Sequence, residues 1–161
     1  MTEKTRKKLE DLISKFPDEY KNFFREIFDY LVSLGYNPKF SANLGSAEFS
    51  KSKHGRSIMK VYPPYNPDGM PHLRLRFDGL PVCTGLFEEA VEIMRSNCER
   101  CNHYDRCNGA NAIKYTMSNG SEVLGSCQPI RDIPKYSVDE LPLIKDALKI
   151  QDIYLMGLYA T

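Results

Sequence analysis

A chain of 161 residues with 42% hydrophobic residues is long enough to close an apolar core without disulfides, and its 27% charged residues exclude a disordered class. A formal net charge of +1 argues against a domain whose main task is coating nucleic acid, since such domains are strongly basic. The charge is uneven: residues 1–81 carry 14 Lys/Arg against 10 Asp/Glu, and residues 82–161 carry 8 against 11.

In chain order, a first amphipathic helix is expected from Thr2 to Lys15, with Leu9, Leu12, Ile13 and Phe16 as its apolar stripe and Pro17 ending it. Asp18 is placed to cap a second helix, in which Tyr20, Phe23, Phe24, Ile27, Leu31 and Leu34 recur at three- and four-residue spacing and Gly35 is placed as the stop. The period then changes to two. Strands are expected at Phe40–Leu44, Ala47–Ser50, Ser57–Tyr62 and His72–Phe77, the last two forming a hairpin. Thr84 can cap a third helix that leads into a cysteine cluster. A second hairpin follows, Ala112–Met117 with Ser121–Cys127, around Ser118-Asn119-Gly120. Ser137-Val-Asp-Glu140 has capping-box spacing for a last helix, and Pro142 makes a start near Leu141 equally suitable. Helices flanking antiparallel strands, with no βαβ alternation, give an α+β class. The expected organisation is one domain over residues 1–161: a helical segment (1–35), antiparallel strands (36–81), a helix with a zinc-knuckle-like four-cysteine insertion and hairpin (82–135), and a C-terminal helix (136–161).

The N-terminal stretch is polar and no run approaches the roughly 18 apolar residues of a membrane span. The expectation is therefore cytoplasmic, without membrane association. In that compartment clustered thiols read as metal ligands and not as disulfides, and five cysteines is an odd number for a disulfide framework.

Four of the five form a constellation. Cys98-x2-Cys101 presents two sulfurs to one centre, and the five residues before Cys107 are enough to loop and return a third. Nineteen residues then separate Cys107 from Cys127. If Asn119 and Gly120 are a two-residue turn, Ser118 faces Ser121, Ala112 pairs with Cys127, and the fourth sulfur returns beside the segment leaving Cys107. That pairing puts Ile113, Tyr115 and Leu124 on one face and Cys127 on the other, unless a bulge near Gly125 re-aims the strand. Four thiolates on Zn²⁺ leave a formal charge of −2, which Arg95, Arg100, Arg106 and Arg131 are near enough in sequence to offset. The expected group is a structural zinc; a closed four-sulfur site has no open position for activating water.

An iron–sulfur cluster is the lesser alternative. Cys98-Glu-Arg-Cys101-Asn-His-Tyr-Asp-Arg-Cys107-Asn-Gly109 resembles the Cys-x2-Cys-x5-Cys stretch of SPASM auxiliary-cluster domains in radical SAM proteins. The resemblance covers residues 98–109 only. That pattern's next cysteine falls at Asn111, and the Cys-x3-Cys-x2-Cys motif of the SAM-binding cluster is missing from the chain.

The second candidate site is a basic strand face. Lys60, Tyr62, His72, Arg74 and Arg76 should share one side of the first hairpin, and two arginines two apart on a strand can offer parallel forks to a phosphate or carboxylate. The bland reading of the same residues is the solvated face of a half-buried sheet. Cys83 precedes the third helix and reads as a core residue, or else as a nucleophile near a helix N-terminus. His54 and His72 are isolated and read as loop or surface residues.

The expectation is thus a non-enzymatic ligand-binding or regulatory domain with structural zinc, contacting a small anionic ligand or a protein partner. A thiol-dependent enzyme or redox sensor is the competing class, and a nucleic-acid-binding accessory protein a weaker one.

Overall fold

The computed structural model describes residues 1–41, 45–66, 69–99, 113–125 and 129–158, with Cys98 and Glu99 as backbone alone. Its order is α1 (Glu3–Ile13), α2 (Asp18–Ser33), β1 (Asn37–Ser41), β2 (Ser46–Ser50), β3 (Ser57–Tyr62), β4 (His72–Arg76), α3 (Leu86–Glu99), β5 (Lys114–Thr116), β6 (Glu122–Leu124), β7 (Ile130–Asp132), a 3₁₀ turn (Val138–Glu140) and α4 (Leu141–Leu158). The class is α+β.

Strands β1, β2, β3, β4 and β7 form one sheet in that order, and every neighbouring pair is antiparallel. Alternation puts Ala47, Phe49, Met59, Val61, Leu73 and Leu75 on one side, where all six are buried. Helix α2 supplies Phe23, Phe24, Ile27, Phe28 and Leu31 to the same core, and Phe28 meets Phe49 with ring centroids 5.0 Å apart. Each of the Phe, Ile, Leu, Met and Val side chains among these stabilises the fold by about 1.5–3 kcal/mol through burial.

The start of α2 differs from expectation. Pro17 occupies the N-cap position, and Asp18 is the first helical residue, paired with Lys21. The stop is as expected: Gly35 has φ +87°, its N–H bonds Val32 O, and Tyr36 N–H reaches back to Leu31 O at 3.0 Å. This is a Schellman motif, and it fixes where the Tyr36 side chain enters the molecule. At the last helix, Ser137 N–H donates to Glu140 Oε2 at 2.7 Å, so the capping box is present, and the α-helix begins at Leu141.

The second hairpin is one residue out of the expected register. Tyr115 pairs with Val123 and Lys114 with Leu124, and Met117 N–H bonds Ser121 O at 2.9 Å. The loop is therefore three residues, Ser118–Gly120, with Gly120 at φ +80°; Asn119-Gly120 do not form a two-residue turn. The slip changes which side chains face in. Tyr115 and Val123 are buried together, and Leu124 is exposed, against the expectation that it shares a face with Tyr115. Ala112 and Cys127 lie outside the described residues.

Candidate functional site

Of the four clustered cysteines, Cys101, Cys107 and Cys127 lie outside the described residues, and Cys98 is the next-to-last residue of α3, described by its backbone. Among the described residues no group of three or more His, Cys, Asp or Glu could hold a metal ion. Gly125 N–H bonds Ile113 O at 2.6 Å, which joins the two chain segments that continue toward Cys107 and Cys127. A Cβ placed on Gly125 would come 2.9 Å from Met94 Cε and would also overlap the Tyr115 ring. Glycine at 125 thus lets α3 and the hairpin touch. Cys98 is one helical turn beyond Met94, and Cys127 two residues beyond Gly125.

The basic strand face is built as a charge ladder. The register aligns Lys39, Glu48, Lys60, Arg74 and Asp132 across the five strands. Lys60 Nζ is 2.9 Å from Glu48 Oε2, and Arg74 Nε is 3.1 Å from Asp132 Oδ1. Burial would raise the Glu48 carboxyl, but the Ser57 hydroxyl and Lys60 outweigh it and hold it below its ordinary value. Tyr62 pairs with His72, which is exposed and packs edge-on against the Tyr65 ring. Arg76 does not join Arg74 at the surface. It is buried at the opposite end of the sheet, opposite Ile130 and 3.3 Å from Asp78 Oδ1. The two guanidinium forks are therefore not offered to solvent side by side.

Cys83 is fully buried, and its N–H bonds Thr116 O at 2.7 Å. Burial, with Glu88 adding to it, pushes the thiol up to about 11. An activated nucleophile needs the reverse. Tyr115 and Tyr136 belong to the core, with the Tyr136 hydroxyl donating to Pro71 O.

A polar cluster that sequence reasoning missed sits at the sheet end bearing Arg76. Tyr36, placed by the α2 Schellman motif, donates its hydroxyl to Asp152 Oδ1 of α4 at 2.9 Å. Lys51, in the β2–β3 loop, donates to both oxygens of the same carboxylate at 2.9 and 3.2 Å. His54 of that loop is buried, and its Nε2 lies 3.3 Å from the Tyr36 hydroxyl. Arg56 N–H donates to His54 Nδ1 at 3.1 Å. Nδ1 is therefore an acceptor, the ring proton is on Nε2, and the imidazole is neutral. The chain of donors runs His54 to Tyr36 to Asp152, with Lys51 arriving from the other side. Burial lowers the His54 ring below its ordinary value, with Lys51, Arg76 and Arg56 acting in the same sense and Asp152 opposing. Burial and the Asp152 carboxylate raise the Tyr36 hydroxyl well above its own.

One residue along α4, Gln151 is fully buried and its Oε1 accepts Gly79 N–H at 2.7 Å. A Cβ at Gly79 would lie 2.5 Å from that of Tyr154, so α4 is seated directly on this glycine. Asp78 is raised by burial, with Arg76 the largest opposing influence. The sequence signal for this cluster is thin: four polar residues, Tyr36, Lys51, His54 and Asp152, spread over 116 positions, with a helix stop at Gly35 and a loop glycine at Gly55 as hints.

No family model, no curated protein and no solved structure matches this chain. Among the described residues, no helix is long and apolar enough to cross a membrane.

Proposed function

We propose that the chain is a non-enzymatic binding domain whose third quarter is organised by a structural zinc ion on Cys98, Cys101, Cys107 and Cys127. The observation that carries this reading is the junction at Gly125. Its amide bond to Ile113 and its contact with Met94 bring the α3 approach and both hairpin strands to one place. The four cysteines follow or precede that junction closely in the chain. Four thiolates would close the coordination sphere, so the ion would stabilise and not catalyse. The fully buried Cys83, with its raised thiol, favours this class over a thiol enzyme.

The binding surface in this reading is the part-exposed strip of Lys60, Tyr62, His72 and Arg74, beside the exposed Tyr65. It offers ring edges and two cations already partnered by Glu48 and Asp132. A small anionic ligand or an acidic protein segment would compete with those two carboxylates. The ladder's own acids make a nucleic-acid backbone a poorer fit.

Elemental analysis of the purified protein with a visible spectrum tests the metal. One zinc per chain and no visible absorption is the expected result. Charge-transfer bands would replace zinc by an iron–sulfur cluster, and a metal-free protein with five titratable thiols would remove the metal altogether. For the surface, Lys60→Ala with Arg74→Ala should weaken phosphate or carboxylate binding with the fold intact; unchanged binding of both anions refutes the strip.

A further inference from the structure

The polar cluster at the sheet end ties the β2–β3 loop, the end of α2 and α4 together through His54, Tyr36, Lys51 and Asp152. The loop 51–56 is closed by Gly55 N–H on Lys51 O at 2.9 Å, Lys51 N–H on Arg56 O at 3.3 Å and Arg56 N–H on His54 Nδ1 at 3.1 Å. Gly55 takes φ +66°, which completes the turn. The loop then holds α4 through Lys51 and Asp152, and through His54, Tyr36 and Asp152. All four side chains are buried or nearly so, at 14% exposure for Asp152 and 16% for Lys51.

We propose that this cluster is an acid-released latch: proton uptake at His54 Nδ1 displaces the Arg56 amide, opens the 51–56 loop, and frees the C-terminal half of α4 from Asp152 onward. The step is a simple proton transfer from solvent to Nδ1. The only lone pair on the neutral ring that can take a proton is the one already accepting Arg56 N–H, so an imidazolium puts two donors face to face. The charged groups around the ring add to the cost. Lys51 and Arg56 on its own loop and Arg76 on β4 repel an imidazolium; Asp152 on α4 attracts it but is engaged by Lys51 and Tyr36. Asp152 is adjacent to Gln151, so movement here also lifts Gln151 from Gly79 N–H and exposes Arg76 and Asp78.

The sign follows from linkage. His54 titrates lower in the latched state than when open, so the latch is at full strength above the ordinary imidazole value of 6.5 and weakens below it. One proton is taken up on opening. Protection of the Arg56 amide and of amides 152–158 against hydrogen exchange should fall about ten-fold per pH unit from 6.5 down to the latched-state His54 midpoint, level off below that midpoint, and not change with pH above 6.5. Native-state exchange from pH 8 to 4.5, with an NMR titration of the His54 ring, measures this. His54→Phe should abolish the pH dependence of those amides while leaving amides of β3 and β4 unchanged. Should that variant fail to fold, Lys51→Met supplies the second arm: loss of the nearest cation should raise the His54 midpoint toward 6.5, and the pH range over which protection falls should narrow with it. Uniform protection loss across the whole chain, no loss as His54 charges, or a His54 midpoint at or above 6.5 would each overturn the latch.

Discussion

Replacing Asp152 by Ala removes the acceptor shared by Lys51 and Tyr36. Breaking one partner of a well-buried ion pair costs about 3–5 kcal/mol, and the residual solvent contact of both side chains brings this to about 2–3. The Tyr36 hydroxyl loses its acceptor in an interior position, which adds about 1 kcal/mol. The expected loss is therefore about 3–4 kcal/mol, or a fall in Tm of about 6–16 °C for a chain of this size. Lys51→Met alone should cost less, about 1–2 kcal/mol, since Asp152 keeps the Tyr36 donor. Urea denaturation of wild type, both single variants and the double variant gives the pair term directly. A coupling energy of about 1–3 kcal/mol is expected. If the two losses simply add, to within about 0.5 kcal/mol, Lys51 and Asp152 do not act as a unit and the account of the sheet end is wrong.

Gly35→Ala places a Cβ at φ +87° and should destabilise by about 1 kcal/mol or more in the same assay; an unchanged midpoint would mean the α2 stop does not depend on glycine. Gly125→Val should cost about 2–3 kcal/mol by forcing Met94 and Tyr115 apart, and near-UV spectra should report the displaced tyrosine; a variant as stable as wild type would undo the junction described above. Native Cys83 should resist iodoacetamide at pH 7.5 and become modified only as fast as the chain unfolds, given its burial and a thiol near 11. Mass mapping that finds Cys83 alkylated within minutes in the folded protein would restore it as a reactive group.

Legibility follows signal strength. Helix α2 can be read because Phe23, Phe24, Ile27 and Leu31 repeat at helical spacing and Gly35 closes the pattern. Strands β3 and β4 can be read because Met59, Val61, Leu73 and Leu75 alternate with polar residues on both sides of one hairpin. Strand β7 is not legible: it is three residues long, and its central residue, Arg131, pairs opposite Leu75 and is buried. An arginine on the buried side breaks the alternation that identifies a strand. The second hairpin is legible, but its register is not. Asn119-Gly120 is compatible with a two- or a three-residue loop, and the choice rests on the backbone of Ser118 and Gly120, which composition does not encode. The sheet-end cluster is invisible for a different reason. His54 reads as a surface residue because its partners, Tyr36 and Asp152, are close only after α4 has folded back over the sheet. Arg76 groups with Arg74 by strand parity alone, and parity says nothing about which end of a face is covered.

Among the described residues the five-stranded sheet ends on two outer strands, β1 and β7, and an outer strand can recruit another chain edge to edge. Strand β1 carries Pro38, which has no N–H to donate, beside Lys39. Strand β7 is too short to template a long ladder, and it holds Asp132 beside Arg74. Both margins thus discourage fibril-like stacking, and the chain should remain dispersed at concentrations where a sheet with bare, apolar margins would aggregate.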